Sequence, residues 1–415
     1  MYHKDGLVRD SAILFAATSV ANAANFVFHM YATRTIGPEG YGILATMLAM
    51  LIIAGMPANA LQMSIVRKTS ACMAHNKPGG IEALFKHTFL WFLGLGFVYF
   101  LLFTASAGLI AEFFNIQDKA LVYILGAIAM MSIMMPLVRG ILQGMQKFLA
   151  LGLNNVLDTG LRLLFLIVFV SMGFGVRGAL ATSFFAALCA FVAGIFVFRG
   201  IFSYREDHSG DISKRELLKY AMPVFLAMGF FSLLSYMDLL MVKHFFKAEE
   251  AGFSAVTSII GKAFLFFPSA IVMSLFPKAA SMHELNEDAR KLLMKSLLLT
   301  AGISALGIIF CAVFPKFVLW ALTGGDKYYA ITGIVRVFGA AILPLVLINV
   351  VINYSLAVKK YGFIYVMLAG VILYGALLWN FHSDFITVIT IMFFVTLAIL
   401  AGSLMLIYLP KRKNA

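Results

Sequence analysis

Five ionisable side chains lie inside long apolar runs, and each suggests a chemistry. Lys262 sits in the stretch Ile259-Ile260-Gly261-Lys262-Ala263-Phe264-Leu265, with no acidic residue within one helical turn. A cation placed there can neutralise an anionic group that must cross hydrocarbon, where an unpaired charge is costly. It can equally snorkel or pair with Asp238. Asp158 and Arg162 are four residues apart, so a helix puts both on one face, where they hold a ligand or neutralise each other. Arg336, Arg139 and Arg34 fall nearer the ends of apolar runs and suit the rim of a passage; Arg139 also reads as an ordinary anchor. These five cations are the candidates for binding an anionic substrate. Asp238, beside Ser235 and Tyr236, and Asp158 are the candidates for ion coupling, because a carboxylate within a membrane can take a proton or a sodium ion. Nothing in the chain suits covalent chemistry. The eight His include none at metal spacing, and no Gly-rich phosphate loop follows a strand. The expectation is a protein that is not an enzyme and uses no cofactor and no metal.

The elements that carry these residues follow from composition. The chain of 415 residues is 62% apolar and 12% charged, whereas a soluble domain is about half apolar and a quarter charged. At roughly 20 residues per crossing, that composition supplies about a dozen membrane helices and excludes a secreted enzyme, a disulfide scaffold and a nucleic-acid-binding domain. Cys72, Cys189 and Cys311 are far apart and odd in number, and read as packing residues. Apolar runs predict twelve spans near 11–33, 41–66, 87–111, 120–141, 149–173, 178–198, 218–242, 251–276, 293–314, 329–357, 361–380 and 385–409. With the N-terminus inside, the inner segments hold roughly three times as many Lys and Arg as the outer ones, which supports both the parse and the orientation. The charge of +13 then reflects placement on inner loops and implies no nucleic-acid partner.

One inner segment is long and polar, around Arg205, Glu206, Asp207, Lys214 and Arg215. It divides the chain into six-helix bundles over 1–201 and 218–415 with a cytoplasmic linker over 202–217. Glu39-Gly40-Tyr41-Gly42 followed by Pro57, and Glu250-Ala251-Gly252-Phe253 followed by Pro268, recur at a common offset. An all-α polytopic membrane protein is therefore expected, its two six-helix bundles related by a pseudo-twofold axis along the membrane normal. Gly37 and Pro38 stop the first helix, Gly40 adds backbone freedom, and Tyr41 is expected at the lipid–water interface. This turn is a rigid connector or an outer gate. Pro57 and Pro268 interrupt spans and suit kinks or hinges.

Arg34-Thr35-Ile36-Gly37-Pro38-Glu39-Gly40-Tyr41-Gly42, Arg139-Gly140-Ile141-Leu142-Gln143-Gly144, Gly175-Val176-Arg177-Gly178-Ala179, and Asp238 through Ala251-Gly252-Phe253 to Phe276-Pro277 resemble the polysaccharide and O-antigen flippase family. That family belongs to the multidrug/oligosaccharidyl-lipid/polysaccharide exporter superfamily. The resemblance implies a flippase that moves a polyprenyl-diphosphate-linked oligosaccharide from the inner to the outer leaflet of the cytoplasmic membrane by alternating access. It also implies H+ or Na+ coupling, cytoplasmic termini, and a polysaccharide polymerase and glycosyltransferases as partners. Three alternatives stand beside it: a cation antiporter for drugs or metabolites, a lipid II-type flippase, and a non-transporting scaffold of a polysaccharide assembly complex.

Overall fold

The computed structural model describes residues 4–75, 78–200, 214–265 and 287–408, with scattered positions between 271 and 285. Every element among the described residues is helical. The first is α1, Lys4–Ala54, and with α2, Met56–Ala74, it forms an apolar stretch of 62 residues from Ile13 to Ala74. A straight helix of that length would run roughly 93 Å, far longer than one crossing of a hydrocarbon core of about 30 Å, so the stretch must break. The break is at Gly37, whose φ of 79° and ψ of 174° are open essentially to glycine, and Pro38 follows it without an N–H to donate.

The remaining helices are α3 (Pro78–Ala105), α4 (Ala107–Phe113), α5 (Ala120–Gly144), α6 (Phe148–Ser171), α7 (Gly175–Phe198), α8 (Lys214–Phe245), α9 (Ala248–Ala263), α10 (Arg290–Val313), α11 (Pro315–Thr323), α12 (Thr332–Ala341), α13 (Leu343–Ala357), α14 (Phe363–Asn380) and α15 (Phe385–Tyr408). Among the described residues, ten stretches are long and apolar enough to cross a membrane. The reversal at Gly37 makes the first of them two spans. That gives eleven among the described residues; α9 has 16 residues and is not one of them, and much of the span expected over 251–276 lies outside the described residues.

The chain forms two compact units, Met1–Phe225 and Leu226–Ala415. The boundary falls inside α8, and most of the expected linker over 202–217 lies outside the described residues. In the first unit α5 is the most enclosed span, because α2, α3 and α7 all pack on it. Glycine permits the closest approach: a Cβ on Gly140 would stand 2.8 Å from Ile65 Cβ, and one on Gly144 2.8 Å from the Val66 carbonyl oxygen, so α5 and α2 meet backbone to backbone. In the second unit α14 and α15 close on one another at Gly370, where a Cβ would overlap Ile399.

The position of Tyr41 corrects one expectation. It is fully buried rather than interfacial, and its hydroxyl lies 3.1 Å from His29 Nδ1. Twelve residues along an unbroken helix span about 18 Å. The bond exists because the chain reverses at Gly37 and carries Tyr41 back against the helix it has just left.

Candidate functional site

Within the first unit, a cavity of about 230 Å³ is lined by Arg139, Asp158, Arg162, Gln62, Ser132 and Ser183 among apolar neighbours. Gly55, where α1 gives way to α2, and Pro136 inside α5 also line it, so the cavity borders two helix irregularities. Asn154, Asp158 and Arg162 recur every fourth residue along one face of α6. Arg139 reaches them from α5. Its Nη2 donates to Asp158 Oδ2 at 2.7 Å and its Nε donates to Asn154 Oδ1 at 3.2 Å. Asn154 Nδ2 donates in turn to the Ala190 carbonyl of α7 at 2.6 Å, which ties three helices together.

Arg162 is held differently. Its Nη2 stands 3.9 Å from Asp158 Oδ1, beyond hydrogen-bond range, and Arg162 Nε and Asp158 Oδ1 are both buried without a hydrogen-bond partner among the described residues. One carboxylate thus serves two guanidiniums, leaving an excess of one positive charge and a guanidinium with donors to spare. The i,i+4 spacing of Asp158 and Arg162 was legible in the sequence. That Arg139 is the tighter partner was not, because the two are 19 positions apart on different helices.

The second unit holds another buried charge cluster. Asp238 on α8 is 1% exposed, and Lys262, in the last turn of α9, is 9% exposed. Lys262 Nζ lies 3.9 Å from Asp238 Oδ1 and 4.0 Å from the centroid of the Tyr236 ring. Tyr374 of α14 is fully buried, and its hydroxyl has no hydrogen-bond partner among the described residues. The sequence reading missed Tyr374, which looks like one more aromatic in an apolar helix.

The other candidates are scattered. Arg34 and Arg336 are exposed, Arg336 on α12. Pro57 stands in the first turn of α2, just past Gly55, while Pro268 lies outside the described residues. Gly40 sits where a Cβ would overlap Ile36 and come within 3.0 Å of Val176, so the turn after Gly37 packs directly on the start of α7.

A separate polar contact joins the connection before α5 to α7. Arg177 Nε donates to Asp118 Oδ2, and this bond, aided by the Ala120 N–H, holds the Asp118 carboxyl below its ordinary value against the opposing effect of burial. A carboxyl lowered in the folded state adds stability above its unfolded pKa and loses it as pH falls through the folded value. Arg177→Gln should therefore move the Asp118 titration up toward the ordinary 3.8 in carboxyl-carbon NMR. The stability involved is small and fades with salt, since the Arg177 side chain is 62% exposed.

Comparison with known proteins fits these features into a family. The family described as polysaccharide biosynthesis protein matches residues 7–283. An uncharacterized membrane protein, MJ1375, of Methanocaldococcus jannaschii is 20% identical over 327 residues, covering 76% of each chain. Among solved structures, an inward-facing multidrug resistance MATE family transporter of the MOP superfamily superposes with a TM-score of 0.77 at 13% identity, over 95% of this chain and 97% of its own. The lipid II flippase MurJ in an inward closed conformation gives 0.71 at 13% identity, over 96% and 87%. The protein is thus a multi-pass membrane protein with the fold of the MOP superfamily, and it belongs to the polysaccharide biosynthesis protein family.

Proposed function

We propose that the protein is a flippase that carries a polyprenyl-diphosphate-linked oligosaccharide from the inner to the outer leaflet of the cytoplasmic membrane by alternating access. The observation that carries this reading is the cavity at Arg139, Asp158 and Arg162. Two guanidiniums share one carboxylate there, and Arg162 keeps unused donors in a space of about 230 Å³. Planar, permanently charged guanidinium forks suit phosphate oxygens better than a point charge does. A diphosphate entering hydrocarbon needs such compensation, while its polyprenyl tail can stay in lipid. Lys262, Arg336 and Arg34 are further candidates for the substrate's charge, and Gly37, Pro38, Gly40, Tyr41 and Pro57 for the moving connections. A cation antiporter for drugs or metabolites calls for an acidic site, and the excess charge of this cavity has the opposite sign.

The test uses the full chain in vesicles containing undecaprenyl diphosphate that bears a fluorescent disaccharide. Quenching from outside reports the fraction that has changed leaflet. Arg162→Gln should slow translocation at least tenfold while leaving folding intact, because it removes a guanidinium that makes no hydrogen bond to Asp158. Wild-type vesicles that move no labelled lipid under any ion gradient would favour the scaffold reading.

A further inference from the structure

The polar side chains that line the cavity of the first unit fall into two groups. Arg139 donates to Asp158 and Asn154, Gln62 Nε2 donates to Gln143 Oε1 at 3.0 Å, and the Ser132 hydroxyl donates to the Ala129 carbonyl of its own helix at 2.7 Å. These three are satisfied. The others each present a buried atom with no hydrogen-bond partner among the described residues: Asp158 Oδ1, Arg162 Nε and Ser183 Oγ. Asp158 and Arg162 stand one turn apart on α6, and Ser183 comes from α7. Buried polar atoms in folded proteins are nearly always paired, so the three describe their occupant. The carboxylate oxygen only accepts, the guanidinium nitrogen only donates, and the serine hydroxyl can donate.

A phosphate alone does not match that set. It accepts from Arg162, but it brings no proton to Asp158 Oδ1 and repels it. A cation fares no better, since it meets two guanidiniums. An alcohol hydroxyl matches all three atoms, because it has one proton to give and two lone pairs to offer. The 3.9 Å between Asp158 Oδ1 and Arg162 Nη2 is too long for a direct bond, yet one oxygen at about 2.8 Å from each side closes a triangle on that base. We propose that Asp158, Arg162 and Ser183 form a hydroxyl-reading subsite, which takes the hydroxyl on the sugar carbon next to the one that bears the diphosphate. The hydroxyl donates to Asp158 Oδ1 and accepts from Arg162 Nε and Ser183 Oγ. This deepens the function proposed above and rests on it for the identity of the ligand. The position of the hydroxyl follows from Arg162, whose single guanidinium would face the phosphate with one edge and the hydroxyl with another. Only a hydroxyl vicinal to the phosphate lies that close to it. Ser183 thereby becomes a selectivity residue with no charge.

Water can satisfy the same three atoms, so the deciding measurement is discrimination between two sugars. The full chain in nanodiscs is titrated by calorimetry with undecaprenyl diphosphate bearing glucose and with its 2-deoxyglucose counterpart. Wild type should bind the glucose lipid at least about tenfold tighter, because the deoxy sugar leaves buried groups unpaired. Ser183→Ala should cut that ratio by about threefold or more, with unfolding in mild detergent unchanged or shifted up, since the hydroxyl it removes has no partner among the described residues. Thr182→Val, one position earlier on α7, is the control. The Thr182 hydroxyl donates to the Ala179 carbonyl of its own helix at 2.7 Å, and the residue does not line the cavity, so the ratio should stay at the wild-type value. Equal binding of the two lipids by wild type overturns the subsite and leaves the flippase reading in place. An unchanged ratio in Ser183→Ala, or an equal fall in Thr182→Val, overturns the role of Ser183. Discrimination in binding while neither lipid crosses in the vesicle assay supports the subsite and overturns the flippase reading instead. Failure to bind either lipid overturns both.

Discussion

Arg139→Met should be the most damaging single change in the first unit, lowering stability by about 3 kcal/mol and abolishing translocation. The substitution leaves Asp158, 7% exposed, with only Arg162 at 3.9 Å, and removing one partner of a buried pair typically costs about 3–5 kcal/mol because the other charge stays behind. It also strips the Arg139 bond from Asn154. The lower end of the range applies because the Arg139 side chain is itself 22% exposed. Adding Asp158→Asn should restore much of the stability, since it removes the stranded charge, but no transport, since the cavity then holds a single guanidinium. Arg162→Met should destabilise much less, for Arg162 makes no hydrogen bond to the carboxylate. Unfolding in mild detergent, read beside the vesicle assay, separates the two arginines. Equal destabilisation by both would contradict the geometry of the pair.

These contrasts mark where the sequence is readable. The membrane spans are, because each crossing demands a run of apolar residues that nothing else in a chain this polar-poor requires. Gly37 and Pro38 are readable for the same local reason: their backbone limits act whatever surrounds them. Tyr41 is not, because its burial depends on the reversal that brings it to His29, a contact between positions 12 apart. The partnership of Arg139 with Asp158 is equally hidden. An i,i+4 pair such as Asp158 and Arg162 can be read from helical periodicity, but a contact across two helices depends on their rotation and depth, to which close-packed glycines such as Gly194, against Val138 of α5 and Asn154 of α6, contribute without any charge signal. Asp238 and Lys262 stand out in sequence as charges in apolar runs. Their 3.9 Å separation and the Tyr236 ring beneath the ammonium belong to packing alone.

The glycine control of that packing gives the second large expected effect. Gly194 of α7 lies where a Cβ would overlap Val138 Cγ1 of α5 and stand 3.2 Å from Asn154 Nδ2. Gly194→Ala should cost about 1–3 kcal/mol through overpacking, and it should impair translocation without touching a charge, because Asn154 is the residue that positions Arg139. Val138→Ala in the same chain should rescue both, since it removes the methyl group in the way. Gly160 of α6 offers the matched control. Nothing among the described residues lies within 4 Å of a Cβ there, so Gly160→Ala should be neutral or stabilise by about 1 kcal/mol through helix propensity. The same substitution on neighbouring helices should thus act with opposite sign. If Gly194→Ala proves silent in unfolding and transport, α5 and α7 do not approach as closely as Val138 requires, and the support for Arg139 through Asn154 fails with that contact. If stability falls and Val138→Ala restores it without restoring transport, the packing stands and Asn154 does not position Arg139 for the substrate.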